Sequence, residues 1–202
     1  ISKLPNNIRD YDKTSWEDKI KQQTTLDNIA TQLNLAKEKH RLEIQKDGII
    51  SEMPNTLGAY NKKIWEDKIK KQTTIADLTT QYDLAIAEHF LAFKADAKSK
   101  LPNDIGDYKK KTWGDEIDKQ TGDTFVTSKL GEAILKHLLE TQKDAISKLP
   151  SETIGIYNKA KWETNINRQT TVPNVAIELN SAIAEHLSEK KKDAISKLPE
   201  TV

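Results

Sequence analysis

Residues 98–117 read KSKLPNDIGDYKKKTWGDEI, and this stretch decides the fold because the chain carries it four times. Its opening tract stands at Ile1 to Pro5, recurs as Ile50-Ser51-Glu52-Met53-Pro54, and returns at Lys98 to Pro102, Ile146 to Pro150 and Ile195 to Pro199. The four tryptophans, Trp16, Trp65, Trp113 and Trp162, lie 49, 48 and 49 residues apart. A tyrosine stands five residues before each (Tyr11, Tyr60, Tyr108, Tyr157) and an isoleucine four residues after (Ile20, Ile69, Ile117, Ile166). The four histidines, His40, His89, His137 and His186, each follow their tryptophan by 24 residues. Self-similarity at a fixed period of this size is the signature of a tandem repeat of small supersecondary units.

The copies divide the chain into repeats 1–49, 50–97, 98–145 and 146–194, with a partial fifth at 195–202. Together they form a single repeat array over 1–202. The sequence starts at Ile1 and stops within a fifth tract, so it is expected to be a segment of a longer array, in which polar capping repeats would close the ends.

Each repeat reads as two helices. The proline is followed by a residue suited to cap a helix (Asn6, Asn55, Asn103, Ser151), and Ile105, Tyr108, Trp113 and Ile117 then follow at helical spacing. This predicts a first helix, A, of about 15 residues ending at the Gln-Thr pairs Gln72-Thr73, Gln120-Thr121 and Gln169-Thr170. Thr74 with Asp77 three residues on is suited to cap a second helix, B, as is Asp123 in the third copy. Pro173 falls in the first turn of the fourth B helix, where proline is tolerated. Ile75, Leu78, Tyr82, Ala85 and His89 form an apolar stripe on B, widened by Ile86, Phe90 and Phe93. Val126, Leu130, Ala133, Ile134, His137 and Leu138 form another. The stripes predict B helices of about 22–26 residues, roughly 33–39 Å long.

The fold class is therefore all-α: about four repeats of a short A and a long B helix, as an α-solenoid-like stack or an extended rod of hairpins. A B helix running on through the proline as a kinked rod is the alternative, which Gly58, Gly106 and Gly155 just beyond the break disfavour. No repeat family matches the pattern Pro-x2-Ile-x2-Tyr-x4-Trp-x3-Ile-x2-Gln-Thr.

Composition narrows the function. Apolar residues make up 36% and charged residues 31% of the chain, against about 45–50% and 25% in ordinary domains, which suits a thin body with much surface. The 32 basic groups are matched by 31 acidic ones, so a broad cationic face for nucleic acid or anionic lipid is not expected. Cysteine is absent, which removes disulfides, thiolate zinc ligands and thiol nucleophiles. No stretch approaches the ~18 apolar residues of a membrane helix, and no charged-then-apolar leader opens the sequence.

The Tyr, Trp, Ile and His signature is expected to be structural, anchoring the A–B interface of each repeat. One histidine per repeat, without a recurring second ligand, does not make a metal site. Four equivalent imidazoles buried neutral would make the chain lose stability near pH 5. Lys109-Lys110-Lys111 and Lys190-Lys191-Lys192 have Asp107, Asp115, Glu189 and Asp193 close by and read as solvated faces. No phosphate loop, nucleophile–base arrangement or paired carboxylate stands at a required spacing, so no enzyme, cofactor or metal is expected. The function expected is a non-enzymatic structural or interaction repeat protein: a multivalent adhesin, effector scaffold or surface stalk binding a protein or surface ligand. A nucleic-acid-binding helical repeat protein, reading one base or backbone segment per unit, is the alternative. A secreted or cell-surface location suits the composition best.

Overall fold

The structure, a computed structural model, describes residues 4–198. Ile1 to Lys3 of the first tract, and Pro199 to Val202 of the partial fifth copy, lie outside the described residues. The fold is all-α. The helices are α1 (Lys13–Lys21), α2 (Leu26–Glu52), α3 (Lys62–Lys70), α4 (Ile75–Ser99), α5 (Lys110–Asp118), α6 (Asp123–Ser147), α7 (Lys159–Asn167) and α8 (Val172–Ser196). Every sequence copy thus supplies one short and one long helix, the short ones 9 residues each.

The chain falls into two compact units, Ile1–Asp96 and Ala97–Val202. In the first, Leu4, Tyr11, Ile20 and Ala36 form one apolar cluster, with Trp16, Ile29 and Leu33 packed on it. A second cluster joins Leu42 of α2 and Met53 to Tyr60, Trp65, Ile69 and Leu78. In the second unit, Ala145 and Leu149 meet Tyr157, Trp162, Ile166 and Val175 in the corresponding way. The last two of these clusters span consecutive copies, as helices too short to bury their own faces require.

The short helices correct the sequence expectation. They start six or seven residues later than Asn6, Asn55, Asn103 and Ser151 predict, and none of those four is the N-cap. The intervening residues fold into a two-residue hairpin, bridging Ile8 to Tyr11, Leu57 to Tyr60, Ile105 to Tyr108 and Ile154 to Tyr157. Each tyrosine N–H donates to the carbonyl three residues back at 2.8–2.9 Å. The first central residue has positive φ: 54° at Gly58, 50° at Gly106 and 52° at Gly155. Glycine takes that conformation without steric cost, and its place at the first central position is that of a type II′ turn. The first copy puts Arg9 there instead, at φ 43°, and the Arg9 guanidinium pairs with Asp47. A side chain in this region costs roughly 1–2 kcal/mol.

Helix starts are then capped from two sides. Asp12, Asn61 and Asn158 accept the backbone N–H of Thr14, Lys63 and Lys161, whereas Lys109 offers no such bond. Asn7, Thr56 and Asp104, within the turns, accept the N–H of Lys13, Lys62 and Lys110 at 2.7, 3.2 and 2.7 Å. These bonds satisfy donors that no helix can satisfy internally. At the other end Gln23, Gln72, Gln120 and Gln169 donate back to the carbonyls of Lys19, Lys68, Glu116 and Asn165.

The second long helix begins as the sequence predicts at Thr74, and the first and fourth begin on a threonine cap of the same kind. Thr25, Thr74 and Thr171 accept from the N–H of Asn28, Asp77 and Asn174, and Pro173 sits in the first turn. In the third copy Gly122 is the N-cap and Asp123 the first helical residue, so Asp123 is not the cap. Its carboxylate lies in the first turn, at the positive end of the helix dipole. α2, α4 and α6 end at Glu52, Ser99 and Ser147, before the Leu-Pro or Met-Pro step. The kinked rod running through the proline does not occur, because the residue before proline is pushed out of the helical region.

Candidate functional site

The recurrent side chains assemble one cluster per copy. Tyr11, Tyr60, Tyr108 and Tyr157 are fully buried. Each meets the histidine of its own copy edge-on, with ring centroids 5.1, 5.1, 5.1 and 4.9 Å apart in chain order. The hairpin carries the tyrosine over the middle of the long helix, and the histidine reaches up from that helix. Such T-shaped contacts follow the ring quadrupole, with a positive edge against a negative face. Burial pushes the phenols of all four tyrosines up from their usual value, so they stay neutral. The hydroxyls of Tyr11, Tyr60 and Tyr108 are buried without a hydrogen-bond partner, whereas Tyr157 donates to the Pro150 carbonyl at 3.0 Å. Burial also pushes the His137 imidazole down, against an opposing hydrogen bond at the Asn103 backbone. Its neutral form is the folded one, so its stabilising effect is present above the ordinary His value and weakens as pH falls below it.

Ile20, Ile69, Ile117 and Ile166 are buried on the short helices. Trp65 and Trp162 are buried, while Trp16 and Trp113 are half-buried. The indole of Trp162 donates to Glu185 at 3.1 Å, and Trp113 stacks on Tyr108. Lys68 lies over the Trp65 ring at 3.5 Å and Lys19 over Trp16 at 4.2 Å. Besides these partners within their own copies, Tyr60 and Trp65 pack on Leu42, and Tyr157 and Trp162 on Ala145, of the preceding copy.

Sequence reading missed a second constellation, built on buried charge. Glu43, Glu140 and Glu189, three residues after a histidine, are almost fully buried. Glu140 Oε1 accepts from Lys136 and Lys143, each at 2.8 Å, and Oε2 accepts the Asp107 N–H of the turn at 3.3 Å. Glu189 accepts from Lys192 and from the Ile156 N–H. Glu43 accepts from Lys39 and Lys46. Burial alone would raise the Glu43 carboxyl, but these two lysines outweigh it and hold it below the usual range. Its signal in the sequence is the His-x2-Glu spacing in three copies; the second has Ala92 at that place.

The hydrogen bonds from Lys136 and Lys143, and then from the Asp107 N–H, hold the Glu140 carboxyl at about 2, against an ordinary 4.5. Its folded value lies below its unfolded one. The stabilisation is therefore present above pH about 4.5 and lost as pH falls toward 2. Melting temperature measured from pH 6 to 2 is expected to fall less steeply below 4.5 in Glu140→Gln than in the parent. Parallel curves for the two proteins rule out this role.

A further pair of contacts joins consecutive copies. Gln142 of α6 is buried and donates to the carbonyls of Ile166, Asn167 and Gln169, at the end of α7. Lys46 of α2 donates likewise to the Lys70 carbonyl at the end of α3. In both units the long helix of one copy supplies a donor to the negative end of the next short helix.

Two apolar grooves repeat this relation. One, of about 440 Å³, runs between Leu35 and Leu42 of α2 and Thr74 and Ile75 at the start of α4. The other, of about 600 Å³, runs between Ile134, Leu135 and Leu138 of α6 and Thr171 and Val172 at the start of α8. A polar groove of about 540 Å³ is lined by Asp10, Lys39, Lys46, Asp67 and Lys70. Its cations face carboxylates. In the exposed runs, Lys111 pairs with Asp115, Lys190 with Glu152 and Lys192 with Glu189.

Among the described residues no three His, Asp or Glu converge as a metal-binding set, and no helix is long and apolar enough to cross a membrane. No protein-family model, curated protein or solved structure matches the chain.

Proposed function

We propose that this chain is a non-enzymatic tandem repeat protein that works as a structural or interaction array. On this reading the four copies stack as one α-solenoid-like or rod-like body whose surface is used as a scaffold, stalk or multivalent adhesin. One observation carries it: in every copy a fully buried tyrosine of the same two-residue turn meets a half-buried histidine edge-on, beside a buried isoleucine of a nine-residue helix. The recurrent tyrosines and isoleucines are thereby consumed in packing, whereas exposed positions such as Ser15, Ile64, Thr112 and Lys161 differ from copy to copy. A protein built so gains affinity by presenting several weak surfaces at high effective concentration.

Small-angle X-ray scattering tests the reading. A radius of gyration above about 35 Å marks an extended rod and favours a spacer or stalk, and roughly 20–25 Å marks stacked repeats with a shared face. A value near 17 Å, that of a compact chain of this length, would rule out both forms of array.

A further inference from the structure

Gly131 stands inside α6 where neither backbone conformation nor close packing calls for glycine. Its φ is not positive, and a Cβ there would meet nothing within 4 Å. Glycine is disfavoured against alanine in a helix interior, because it gives up more conformational freedom on folding. Its effect here is to leave a groove open. Gly131 lines the cavity of about 600 Å³ together with Ile134, Leu135 and Leu138 of the same helix and Val172 of α8. Ile134 is 49% and Leu135 58% exposed, although both are large and apolar.

The first copy does not furnish this surface in the same way. At the positions of Gly131, Ile134, Leu135 and Leu138 it carries Asn34, Lys37, Glu38 and Arg41, and the last two pair with each other. The groove of the first unit lies on Leu35 and Leu42 instead, and includes Glu38 and Lys39. In the groove of α6, Lys100 is the one charged residue among the described residues that line it, and no carboxylate opposes it there. His137 lines it too, with burial pushing its imidazole toward the neutral form. Thr170 and Thr171 add hydroxyls. The Thr171 oxygen accepts the Asn174 N–H and keeps its own proton to donate.

Apolar walls with a cation and hydroxyl donors, and no acid, are complementary to a molecule with an apolar body and one anionic head. The size is that of a small-molecule site, since such clefts hold roughly 300–1,000 Å³. A stable protein partner needs about 1,200–2,000 Å² of buried surface, more than these few side chains supply. We infer that the groove binds a medium-chain aliphatic carboxylate, its chain along Gly131, Leu135 and Leu138 against Val172 and its carboxylate paired with Lys100. Gly131 to Leu138 spans about 10 Å along α6, two turns of contact for such a chain. The start of α8 places the positive end of a helix dipole beside the same groove. The site lies wholly within the second unit, so it stands independently of the array reading.

Titration calorimetry and amide NMR spectra of the full chain with sodium decanoate, kept below its micelle concentration, test it. Saturable one-to-one binding is expected, with a Kd of about 1 mM or tighter and shifts centred on Ile134, Leu135, Leu138 and Val172. Octanoate is expected to bind more weakly, by up to about fourfold for each methylene removed. Decylamine, with the same chain and the opposite charge, is expected not to saturate the site. Gly131→Leu fills the groove and should remove decanoate binding, while its melting temperature holds or rises because leucine is favoured over glycine in a helix. Lys100→Gln should weaken decanoate and leave decanol unchanged, with circular dichroism checking that the variant folds. No saturable decanoate binding, shifts confined to other residues, or decylamine bound as tightly as decanoate would each overturn the inference. So would undiminished binding in Gly131→Leu or Lys100→Gln, or attachment to phosphatidylglycerol vesicles without binding of free decanoate.

Discussion

Gly155→Ala is expected to destabilise the chain clearly more than Gly58→Ala, although both replace the same glycine of the same turn. Both positions have φ above 50°, and a side chain there costs roughly 1–2 kcal/mol. At Gly58 that is the whole cost, because a Cβ would stand 3.8 Å from Ala92, an ordinary contact. At Gly155 the Cβ overlaps the Glu189 carboxylate and lies 2.7 Å from its Cδ. The carboxylate must leave its seat and give up the Ile156 N–H, adding the ~1–3 kcal/mol typical of overpacking. Gly106→Ala belongs with Gly155→Ala, since its Cβ would stand 2.5 Å from Glu140 Oε2. Urea unfolding of the three variants measures the order. Adding Glu189→Ala to Gly155→Ala completes a double-mutant cycle in which the excess cost should vanish. Equal losses at Gly58 and Gly155 would show that the glutamate seat contributes nothing.

Tyr157→Ala is expected to cost about 3–5 kcal/mol, the range for deleting a large aromatic side chain from a core. The ring is fully buried between its turn, His186 and the cluster of Leu149, Trp162 and Ile166, and the cavity cannot close around so many fixed neighbours. The phenylalanine variants separate ring from hydroxyl. Tyr157→Phe leaves the Pro150 carbonyl without its donor and should cost about 1 kcal/mol. Tyr60→Phe removes a hydroxyl that is buried without a partner and should be neutral or slightly stabilising. Thermal melts of both variants decide it, and a loss in Tyr60→Phe as large as in Tyr157→Phe would sink the distinction. The fourth copy differs here by one residue: three residues separate Pro150 from Ile154, against two between Pro5 and Ile8.

Much of this was legible in the residues. The 48–49 residue spacing of Trp, Tyr and His announced recurrent units, and the apolar stripes of the long helices predicted their length to within a few residues. Thr25, Thr74 and Thr171 cap as threonine should. The turn was not legible, for a geometric reason. Ile105 and Tyr108 stand three apart, and that spacing serves equally for one turn of helix and for the two ends of a two-residue hairpin. Only the glycine at the first central position tells them apart, and in the first copy Arg9 stands there instead.

The buried glutamates were hidden for a different reason. A carboxylate is buried only where partners converge on it, and those of Glu140 come from one turn either side on its own helix and from a hairpin 33 residues away. The residue pattern sufficed for the all-α class, because helix formation and apolar periodicity are local properties, and the four like copies are visible in the sequence itself. Where the short helices begin and which charges go inside emerged only with the folded chain. Those outcomes depend on what each surface meets, and no local pattern of residues encodes its neighbour.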